Sequence, residues 1–390
     1  MKLFWPINKS FDQTLQTLQE TKTLPLFAEE VLAFANKLSK KWLRMRNHPE
    51  IVALGYWLRN TNIRQMQEQF EQENANVITV ARGTVFHIAP SNVDTIFVYS
   101  WLLSLFAGNR NIIRLSSKNQ DNELLTTIID TLRSGNYNTI AKQTIICTYD
   151  HDEGVTERIG EFCHTRVIWG GDDTVKKIRK IPLAPLANEL VFPDRFSVAL
   201  LNSEALDDMD TLVKNFYNDA FWFDQMACSS PRLVFWLGKD KEAVECFWRK
   251  LDFLIKQEQY NLQSALQVTK LTTAMQYSVD ETTSQVVTVP AFTRVQVTEI
   301  DTSQRDMHCG AGFFIECTVA TVEEIASKLT DKDQTLSYHG LSKEEVSTLV
   351  NEISNRAIDR IVPVGQALNF SSTWDGQSFL TSFTRKTVLL

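Results

Sequence analysis

The sequence predicts an α/β protein with two main domains. Short β-rich segments alternate with helical segments along most of the chain, and this alternation starts a second time near Ser197. The chain of 390 residues is also longer than a single hydrophobic core usually supports. We therefore expect two α/β units, the first of them a doubly wound parallel sheet.

Helical segments precede the first sheet. Apolar residues recur at helical spacing over 27–46, and a second helical segment covers 62–73. The predicted sheet follows, with strands over 84–89, 111–115, 144–148 and 165–169 and helices over 95–107 and 122–132. Alternation of this kind is typical of parallel strands with helical crossovers, and ligands bind at the carboxyl ends of such strands.

The second alternation predicts another α/β unit. Its elements are a strand over 197–201, a helix over 207–221, a strand over 232–237 and a helix over 241–258. The segment IPLAPLANELVFPDR (181–195) lies between the two alternations, and its three prolines disfavour helix. We predict domains over 1–192 and 193–360, followed by a C-terminal segment over 361–390.

Composition excludes several classes of function. The net charge is −7 and the basic residues are scattered, so nucleic acid is not an expected partner. No apolar run reaches the length of a membrane span, and the N-terminus does not resemble a secretion signal, which points to the cytosol. The six cysteines contain no CxxC pair and the histidines show no metal-ligand spacing, so free thiols and no metal are expected.

One cysteine stands in a position suited to chemistry. In DQMACSSPRLVF (224–235), Cys228 follows a predicted helix and precedes Ser-Ser-Pro and a predicted strand. An exposed connection of this kind is where a thiolate nucleophile is most easily activated near neutral pH. The alternative is a small buried hydrophobic residue, the usual role of a free cysteine.

Six stretches in order resemble the aldehyde dehydrogenase superfamily, and within it the LuxC-type acyl-CoA reductases. They are HPEIVALGYWLR, APSNVDTIFVYSWLLSLFAGNRNIIRLSSK, VIWGGDDTV, LANELVFPDRFSVALL, DQMACSSPRLVF, and RIVPVGQALNF followed by WDG. The resemblance covers the chain from about Leu26 onward. It implies an aldehyde dehydrogenase-like fold, with a Rossmann-type cofactor domain, an α/β catalytic domain and a small oligomerisation strand element.

The resemblance assigns catalytic roles to three residues. Cys228 matches the nucleophile, and Asn92, in PSN, matches an asparagine that binds the oxyanion together with the backbone N–H of the cysteine. Asn92 is also placed to cap the helix that follows it. Glu189, in NEL, matches the general base of the superfamily. A purely structural carboxylate that accepts from backbone N–H groups is the alternative for Glu189.

The resemblance also implies a nicotinamide cofactor. IIRLSSK resembles the adenosine-binding stretch, with Arg114, Ser116, Ser117 and Lys118 as its polar residues. Ser117 replaces a glutamate that would repel a 2′-phosphate, which favours NADPH; solvated charges at a strand end are the alternative. Gly170 and Gly171, in WGGDDTV, are predicted to let the backbone approach the cofactor pyrophosphate, although they depart from the usual Gly-Ser.

These expectations combine into one reaction. We predict NADPH-dependent reduction of a fatty acyl-CoA or acyl-protein thioester to the aldehyde through an acyl group on Cys228. The alternatives are an NAD-dependent aldehyde dehydrogenase working in the oxidising direction and a non-catalytic scaffold for an acyl-protein synthetase. An acyl-protein synthetase is the predicted partner. The terminal run SFTRKTVLL resembles an intersubunit strand, so a homo-oligomer is expected.

Overall fold

The computed structural model describes residues 1–90, 95–116, 123–150 and 153–389. These residues belong to two compact units. The first unit contains Met1–Asp194 and Phe370–Leu390, and the second contains Arg195–Asn369. Asn92, Ser117 and Lys118 lie outside the described residues, so their predicted roles stay predictions.

The first unit begins with one strand and four helices. These are β1 (Lys2–Trp5), α1 (Phe11–Glu20), α2 (Glu29–Trp42), α3 (Pro49–Trp57) and α4 (Asn60–Glu73). Ser10 begins α1 by accepting a hydrogen bond from the N–H of Gln13 at 3.3 Å, a common N-cap contact. Pro49 stands in the first turn of α3, where its missing N–H costs nothing.

The rest of the first unit alternates strands and helices as predicted. Its elements are β2 (Ile78–Ala81), β3 (Thr84–Ile88), α5 (Thr95–Phe106), β4 (Arg110–Arg114), α6 (Glu123–Arg133), α7 (Asn138–Lys142), β5 (Thr144–Thr148), α8 (Glu153–Gly160), β6 (Thr165–Trp169), α9 (Asp172–Arg179) and β7 (Asn188–Phe192). Six of the strands form a sheet in the order β1-β5-β4-β3-β6-β7. Only β1 is antiparallel to its neighbour, which confirms the doubly wound α/β class.

The second unit is a seven-stranded sheet covered on both faces. Its elements are β8 (Phe196–Asn202), α10 (Met209–Phe221), β9 (Leu233–Leu237), α11 (Lys241–Gln257), α12 (Ser264–Ser278), β10 (Thr283–Thr288), β11 (Thr293–Val297), α13 (Thr302–Met307), β12 (Phe313–Val319), α14 (Val322–Lys328), β13 (Asp333–His339), α15 (Lys343–Glu352) and β14 (Arg360–Pro363). The strand order is β10-β11-β12-β9-β8-β13-β14, and only β10 is antiparallel.

Both faces of this second sheet are apolar because its central strands are apolar throughout. Along β9, Phe235 packs into the core on one face, whereas its neighbour Trp236 packs into the core on the other. Successive side chains of a strand point to opposite faces, so each face needs a covering layer. The loops at the strand ends, rather than the sheet faces, are therefore left for chemistry.

The chain ends with short elements that belong to the first unit. These are β15 (Thr373–Trp374), β16 (Gln377–Ser378), α16 (Phe379–Ser382) and β17 (Thr384–Thr387). β17 pairs antiparallel with β2, Thr384 opposite Ala81 and Thr387 opposite Ile78. The terminal run expected to reach a second subunit thus forms a ribbon with its own chain, and the homo-oligomer stays a prediction.

Candidate active site

Cys228 lies on the connection between α10 and β9 in the second unit. Its side chain is half-buried and its thiol forms no disulfide. Its carbonyl oxygen accepts a hydrogen bond from Ser197 Oγ at 2.7 Å, which ties the connection to the start of β8. Because β8 and β9 are neighbouring strands inside the sheet, the thiol is held by rigid elements while its side chain stays partly accessible.

The residues just after Cys228 tie the connection to α10. The N–H of Ser230 donates to the carbonyl of Ala227 at 3.1 Å, and Ser230 Oγ donates to the carbonyl of Asp219 at 2.7 Å. Ser230 is fully buried, so these bonds are shielded from water. The turn that contains the thiol is therefore held by hydrogen bonds both at Cys228 and at Ser230.

Asp219 connects α10 to a second loop of the same unit. Its buried carboxylate accepts hydrogen bonds from the backbone N–H groups of Gly365 at 2.6 Å and Ala367 at 3.0 Å. Burial raises the pKa of Asp219 to about 7, although both hydrogen bonds and the charge of Arg360 lower it. Asp219 is thus a buried titratable group that holds the RIVPVGQALNF stretch beside the helix leading to Cys228.

His308 has a fixed tautomer. Its Nδ1 accepts from the N–H of Gly310 at 3.0 Å, so the ring proton is on Nε2, which donates to the carbonyl of Phe313 at 2.7 Å. Burial, and next the charge of Arg232, lower the pKa of His308 well below its usual value. A neutral ring with both nitrogens occupied shapes the 308–312 turn, in which Gly310 and Gly312 have φ values of +70° and +73°.

The topology of the first unit defines its candidate cofactor region. The chain runs outward from β3 through β4 to β5 and then returns to place β6 on the other side of β3. The carboxyl ends of β3 and β6 therefore form the switch point, where doubly wound sheets bind ligands. β3 leads toward Asn92, which lies outside the described residues, and β6 ends at Trp169, directly before Gly170 and Gly171.

The two glycines leave no room for side chains. A Cβ on Gly170 would lie 3.2 Å from Thr174 Cγ2, and a Cβ on Gly171 would lie 3.1 Å from Asp194 Oδ2. Gly171 is the N-cap of α9, and Asp172 and Asp173 form its first turn. The three carboxylates around the start of α9, those of Asp172, Asp173 and Asp194, disfavour a bound diphosphate. The small size of the two glycines therefore suits a cofactor here, whereas the charges do not.

Arg114 ends β4, next to the switch point. Its Nη2 donates to the carbonyl of Tyr149 at 3.2 Å and its guanidinium lies 5.0 Å from the centre of the Tyr149 ring. Within the described residues its buried Nε has no hydrogen-bond acceptor. An unused buried donor on a cation suits a phosphate or ribose oxygen, so Arg114 fits a nucleotide. Ser116 follows two residues later.

Glu189 lies on β7 and forms two ion pairs. Its Oε1 accepts from Arg166 Nε at 2.8 Å and lies 2.6 Å from Arg166 Nη2, and its Oε2 accepts from Arg179 Nε at 2.9 Å. Arg166 is buried on the neighbouring strand β6, whereas Arg179 ends α9. The partners of the Glu189 carboxylate are guanidinium groups, and not the backbone N–H groups that the structural alternative predicted.

Two classes of feature are missing from the part of the chain that the structure covers. No group of three histidine, cysteine or acidic side chains there is arranged to hold a metal ion. Among the same residues, none of the helices is both long and apolar enough to cross a membrane.

Known proteins resemble the chain in sequence along part of its length. The aligned region of the long-chain acyl-protein thioester reductase of Aliivibrio fischeri is 26% identical over 181 residues, 45% of this chain and 36% of that relative. The enzyme of the same description from Photorhabdus laumondii is 22% identical over 180 residues. The chain thus aligns with about a third of the length of these curated relatives.

Solved structures resemble the chain along nearly its whole length. Aldehyde dehydrogenase 21 from Physcomitrella patens superposes with a TM-score of 0.72 at 10% identity, covering 97% of this chain and 89% of that one. Methylmalonate-semialdehyde dehydrogenase from Oceanimonas doudoroffii gives 0.71 at 13% identity, covering 96% and 89%. These similarities confirm the aldehyde dehydrogenase-like fold.

A match to a family model shows the family to which the chain belongs. The model described as acyl-CoA reductase (LuxC) matches residues 19–386, which include both units and Cys228. The chain therefore belongs to the LuxC acyl-CoA reductase family, on an aldehyde dehydrogenase-like fold.

Proposed function

We propose that this protein reduces a fatty acyl thioester to the aldehyde, with NADPH as the reductant and Cys228 as the nucleophile. The observation that carries the proposal is the half-buried, reduced thiol of Cys228 on a connection anchored at Ser197 and Asp219. Family membership and the names of the curated relatives support the same reaction class.

The first step transfers the acyl group to the protein. The thiolate of Cys228 attacks the thioester carbonyl carbon, and a tetrahedral oxyanion forms. The oxyanion then collapses, the carbon–sulfur bond to the donor breaks, and the donor leaves as a thiolate. Asn92 and the backbone N–H of Cys228 are the proposed oxyanion donors, and such preorganised donors are worth about 3 kcal/mol of barrier each.

The second step releases the aldehyde. NADPH, when bound to the first unit, would supply the hydride that reduces the acyl carbon. Cys228 holds that carbon as a thioester until reduction and as a thiohemiacetal afterwards. Hydride addition leaves an alkoxide on that carbon, which takes up a proton to give the thiohemiacetal hydroxyl. When the hydroxyl gives this proton back, the carbon–sulfur bond breaks, the aldehyde leaves, and the thiolate of Cys228 is restored. We propose that Glu189 exchanges this proton with the thiohemiacetal oxygen.

The first unit is the proposed binding site for NADPH. Arg114, Ser116, Ser117 and Lys118 would hold the adenosine end, and the open backbone at Gly170 and Gly171 would approach the rest of the cofactor. The buried Nε of Arg114, which has no acceptor in the described part of the chain, supports this assignment. A cation at this strand end also favours the 2′-phosphate of NADPH.

The acyl donor is proposed to be acyl-CoA or an acyl-protein. The family description names acyl-CoA, whereas the curated relatives are named for acyl-protein thioesters. An acyl-protein donor would come from an acyl-protein synthetase partner. We also propose that the protein works as a homo-oligomer.

The experiment is acyl transfer with a long-chain acyl-CoA, measured by mass spectrometry of the Cys228 peptide and by NADPH-dependent aldehyde release. Wild type is expected to gain the acyl mass without NADPH and to lose it with aldehyde release when NADPH is added. Cys228→Ser should do neither, whereas Cys246→Ser, which alters another half-buried thiol of the same unit, should behave as wild type.

Two results would contradict the proposal. Aldehyde release by Cys228→Ser at the wild-type rate would remove Cys228 from the reaction, and absence of any acyl mass on wild type would favour the scaffold. Formation of NADH from an aldehyde without added thiol would instead favour the oxidising dehydrogenase.

A further inference from the structure

Two successive residues before Cys228 have unusual backbone conformations. Asp224 has a φ of +50° and Gln225 has a φ of +59°. Residues other than glycine avoid this left-handed region, and such conformations persist only where surrounding contacts enforce them. Gln225 is also fully buried, which is uncommon for its side chain.

The amide of Gln225 explains how the conformation is held. Its Oε1 accepts from the N–H of Phe313 at 2.8 Å, and its Nε2 donates to the carbonyl of Phe313 at 2.8 Å. The amide thus pairs with Phe313 as a peptide unit of a neighbouring strand would. The same Nε2 donates to the carbonyl of Pro231, also at 2.8 Å, so the amide forms three short hydrogen bonds.

These three bonds close the loop that contains the thiol. Gln225 lies three residues before Cys228 and Pro231 lies three residues after it. The bond between Gln225 and Pro231 joins the two ends of the loop, and the bonds to Phe313 fix both ends to the start of β12. Cys228 is at the middle of this closed loop.

The neighbouring residues reinforce the same attachment. The carbonyl of Asp224 accepts from the N–H of Ala311 at 2.7 Å, and its Oδ1 accepts from the hydroxyl of Tyr260 at 2.6 Å. A Cβ on Gly310 would lie 2.5 Å from Met226 Sδ, so the 308–312 turn is in close contact with the loop.

We propose that Gln225 is a positioning residue for the thiol of Cys228, acting through the closed loop rather than by touching the substrate. This inference rests on the proposed function, in which Cys228 receives the acyl group. Loss of the amide would let the loop relax from its left-handed conformation and displace the sulfur. Displacements of about 1 Å in a reacting group cost about 100-fold in rate.

The first test uses Gln225→Met, which keeps the length of the side chain and removes its hydrogen bonds. The variant is expected to fold, because the N–H of Phe313 also reaches the carbonyl of Gly310 at 3.1 Å and its carbonyl also accepts from His308. Acyl transfer from a long-chain acyl-CoA to Cys228 is expected to slow by about 100-fold. The KM for NADPH should not change.

The matched control is Gln143→Met in the first unit. Gln143 is also fully buried, and its Nε2 donates to the carbonyl of Lys22 at 2.7 Å. This variant should lose stability, seen as a lower Tm, while the acylation rate of Cys228 stays at the wild-type value. An equal fall in acylation for both variants would show a general effect of destabilisation and overturn the inference.

The second test adds a pH signature, measured on protein that denaturant unfolding shows to be folded across the pH range. In Gln225→Glu the ionised carboxylate has no donor for Phe313 or Pro231, whereas the protonated acid again offers one O–H donor and one acceptor. The acylation rate of this variant relative to wild type should therefore rise as pH falls from 8 to about 6. The ionisable or charged groups around the loop include Asp219, Asp224, Tyr217, Tyr260, Arg232, Cys309 and the neutral His308.

The outcomes separate this inference from the proposed function. Wild-type acylation rates in folded Gln225→Met, or a ratio for Gln225→Glu that does not change with pH, would overturn the positioning role and leave the proposed function intact. Failure of wild type itself to accept an acyl group would overturn the proposed function first.

Discussion

Glu189 Oε1 lies 2.6 Å from Arg166 Nη2, and the two residues are opposite each other in the parallel register of β7 and β6. Arg166 is 3% exposed and Glu189 is 17% exposed at their side chains. A charge as deeply buried as that of Arg166 is tolerated because Glu189 lies beside it and accepts from its Nε, while its Nη1 donates to the carbonyl of Ile181. The carboxylate proposed to manage protons is thus also part of the framework of the first unit.

Removal of the carboxylate should destabilise the protein. Glu189→Ala is expected to lower the free energy of unfolding by about 3 kcal/mol, because Arg166 is left buried and unpaired. Denaturant unfolding measures the change, and a double-mutant cycle with Arg166→Ala isolates the pair. Asp130→Ala, which breaks an exposed contact to Arg133, should cost less than about 0.5 kcal/mol. Costs of similar size for both variants would contradict the buried pair.

The catalytic proposal for Glu189 needs a separate readout. Glu189→Gln keeps the shape of the side chain and removes its capacity to take up a proton at neutral pH. We expect slower aldehyde release, with the thiohemiacetal, two hydrogens heavier than the acyl group, accumulating on Cys228 when NADPH is present. Quenched-flow sampling with mass spectrometry of the Cys228 peptide measures both. An unchanged rate in the folded variant would leave Glu189 with a structural role alone.

Asp219 should make stability depend on pH. Burial raises its pKa from the usual 3.8 to about 7, so the folded protein binds this proton more tightly than the unfolded chain. Its contribution to the free energy of unfolding therefore falls as pH rises from about 4 to about 7, by up to about 4 kcal/mol, and is constant above that.

Asp219→Asn provides the comparison, because asparagine does not titrate. The free energy of unfolding of wild type minus that of Asp219→Asn should decrease across the same pH range. Denaturant unfolding at several pH values measures this difference. Parallel curves for the two proteins would mean that Asp219 does not titrate between 4 and 7.

The arrangement of strands in the first unit could be predicted because each strand is a short run of apolar and β-branched residues. The run over 84–89 became β3 (Thr84–Ile88), and the helical stretch over 95–107 became α5 (Thr95–Phe106). β1 was missed, since a four-residue strand at the chain start has no local pattern and depends on pairing with β5. A short strand that forms by pairing with a distant strand has no periodic sequence pattern from which it could be predicted.

The candidate site was predictable only where single residues resemble a motif. Gln225 and Asp219 look like ordinary polar residues beside a helix end, and their roles come from Phe313 and Gly365, which are far away in sequence. Their nearness to Cys228 was the one available signal. The pairing of Glu189 with Arg166 follows from strand register, which the sequence alone does not provide.

Arg114 should discriminate between the two nicotinamide cofactors. Among the residues that the structure describes, its buried Nε has no acceptor, and a guanidinium binds phosphate oxygens strongly. Arg114→Ala is expected to weaken NADPH binding by about tenfold, equivalent to about 1.4 kcal/mol, and NADH binding by less. Fluorescence titration measures both affinities. Arg133→Ala on α6 is the control and should change neither; equal losses for NADPH and NADH would remove Arg114 from 2′-phosphate recognition.

Substitutions of Gly171 and of Asp194 should change the affinity for NADPH in opposite directions. Gly171→Ala places a methyl group 3.1 Å from Asp194 Oδ2, so the carboxylate or the backbone must shift where the cofactor is proposed to approach. We expect a weakening of NADPH binding by about tenfold or more.

Asp194→Asn removes one of the three carboxylates around the start of α9 and should strengthen binding, because a diphosphate is then repelled less. Acyl transfer to Cys228 in the absence of NADPH should be unchanged in both variants, which separates cofactor binding from folding. If Asp194→Asn weakened NADPH binding, its carboxylate would instead be a ligand for the cofactor, and the diphosphate would have to lie away from this helix.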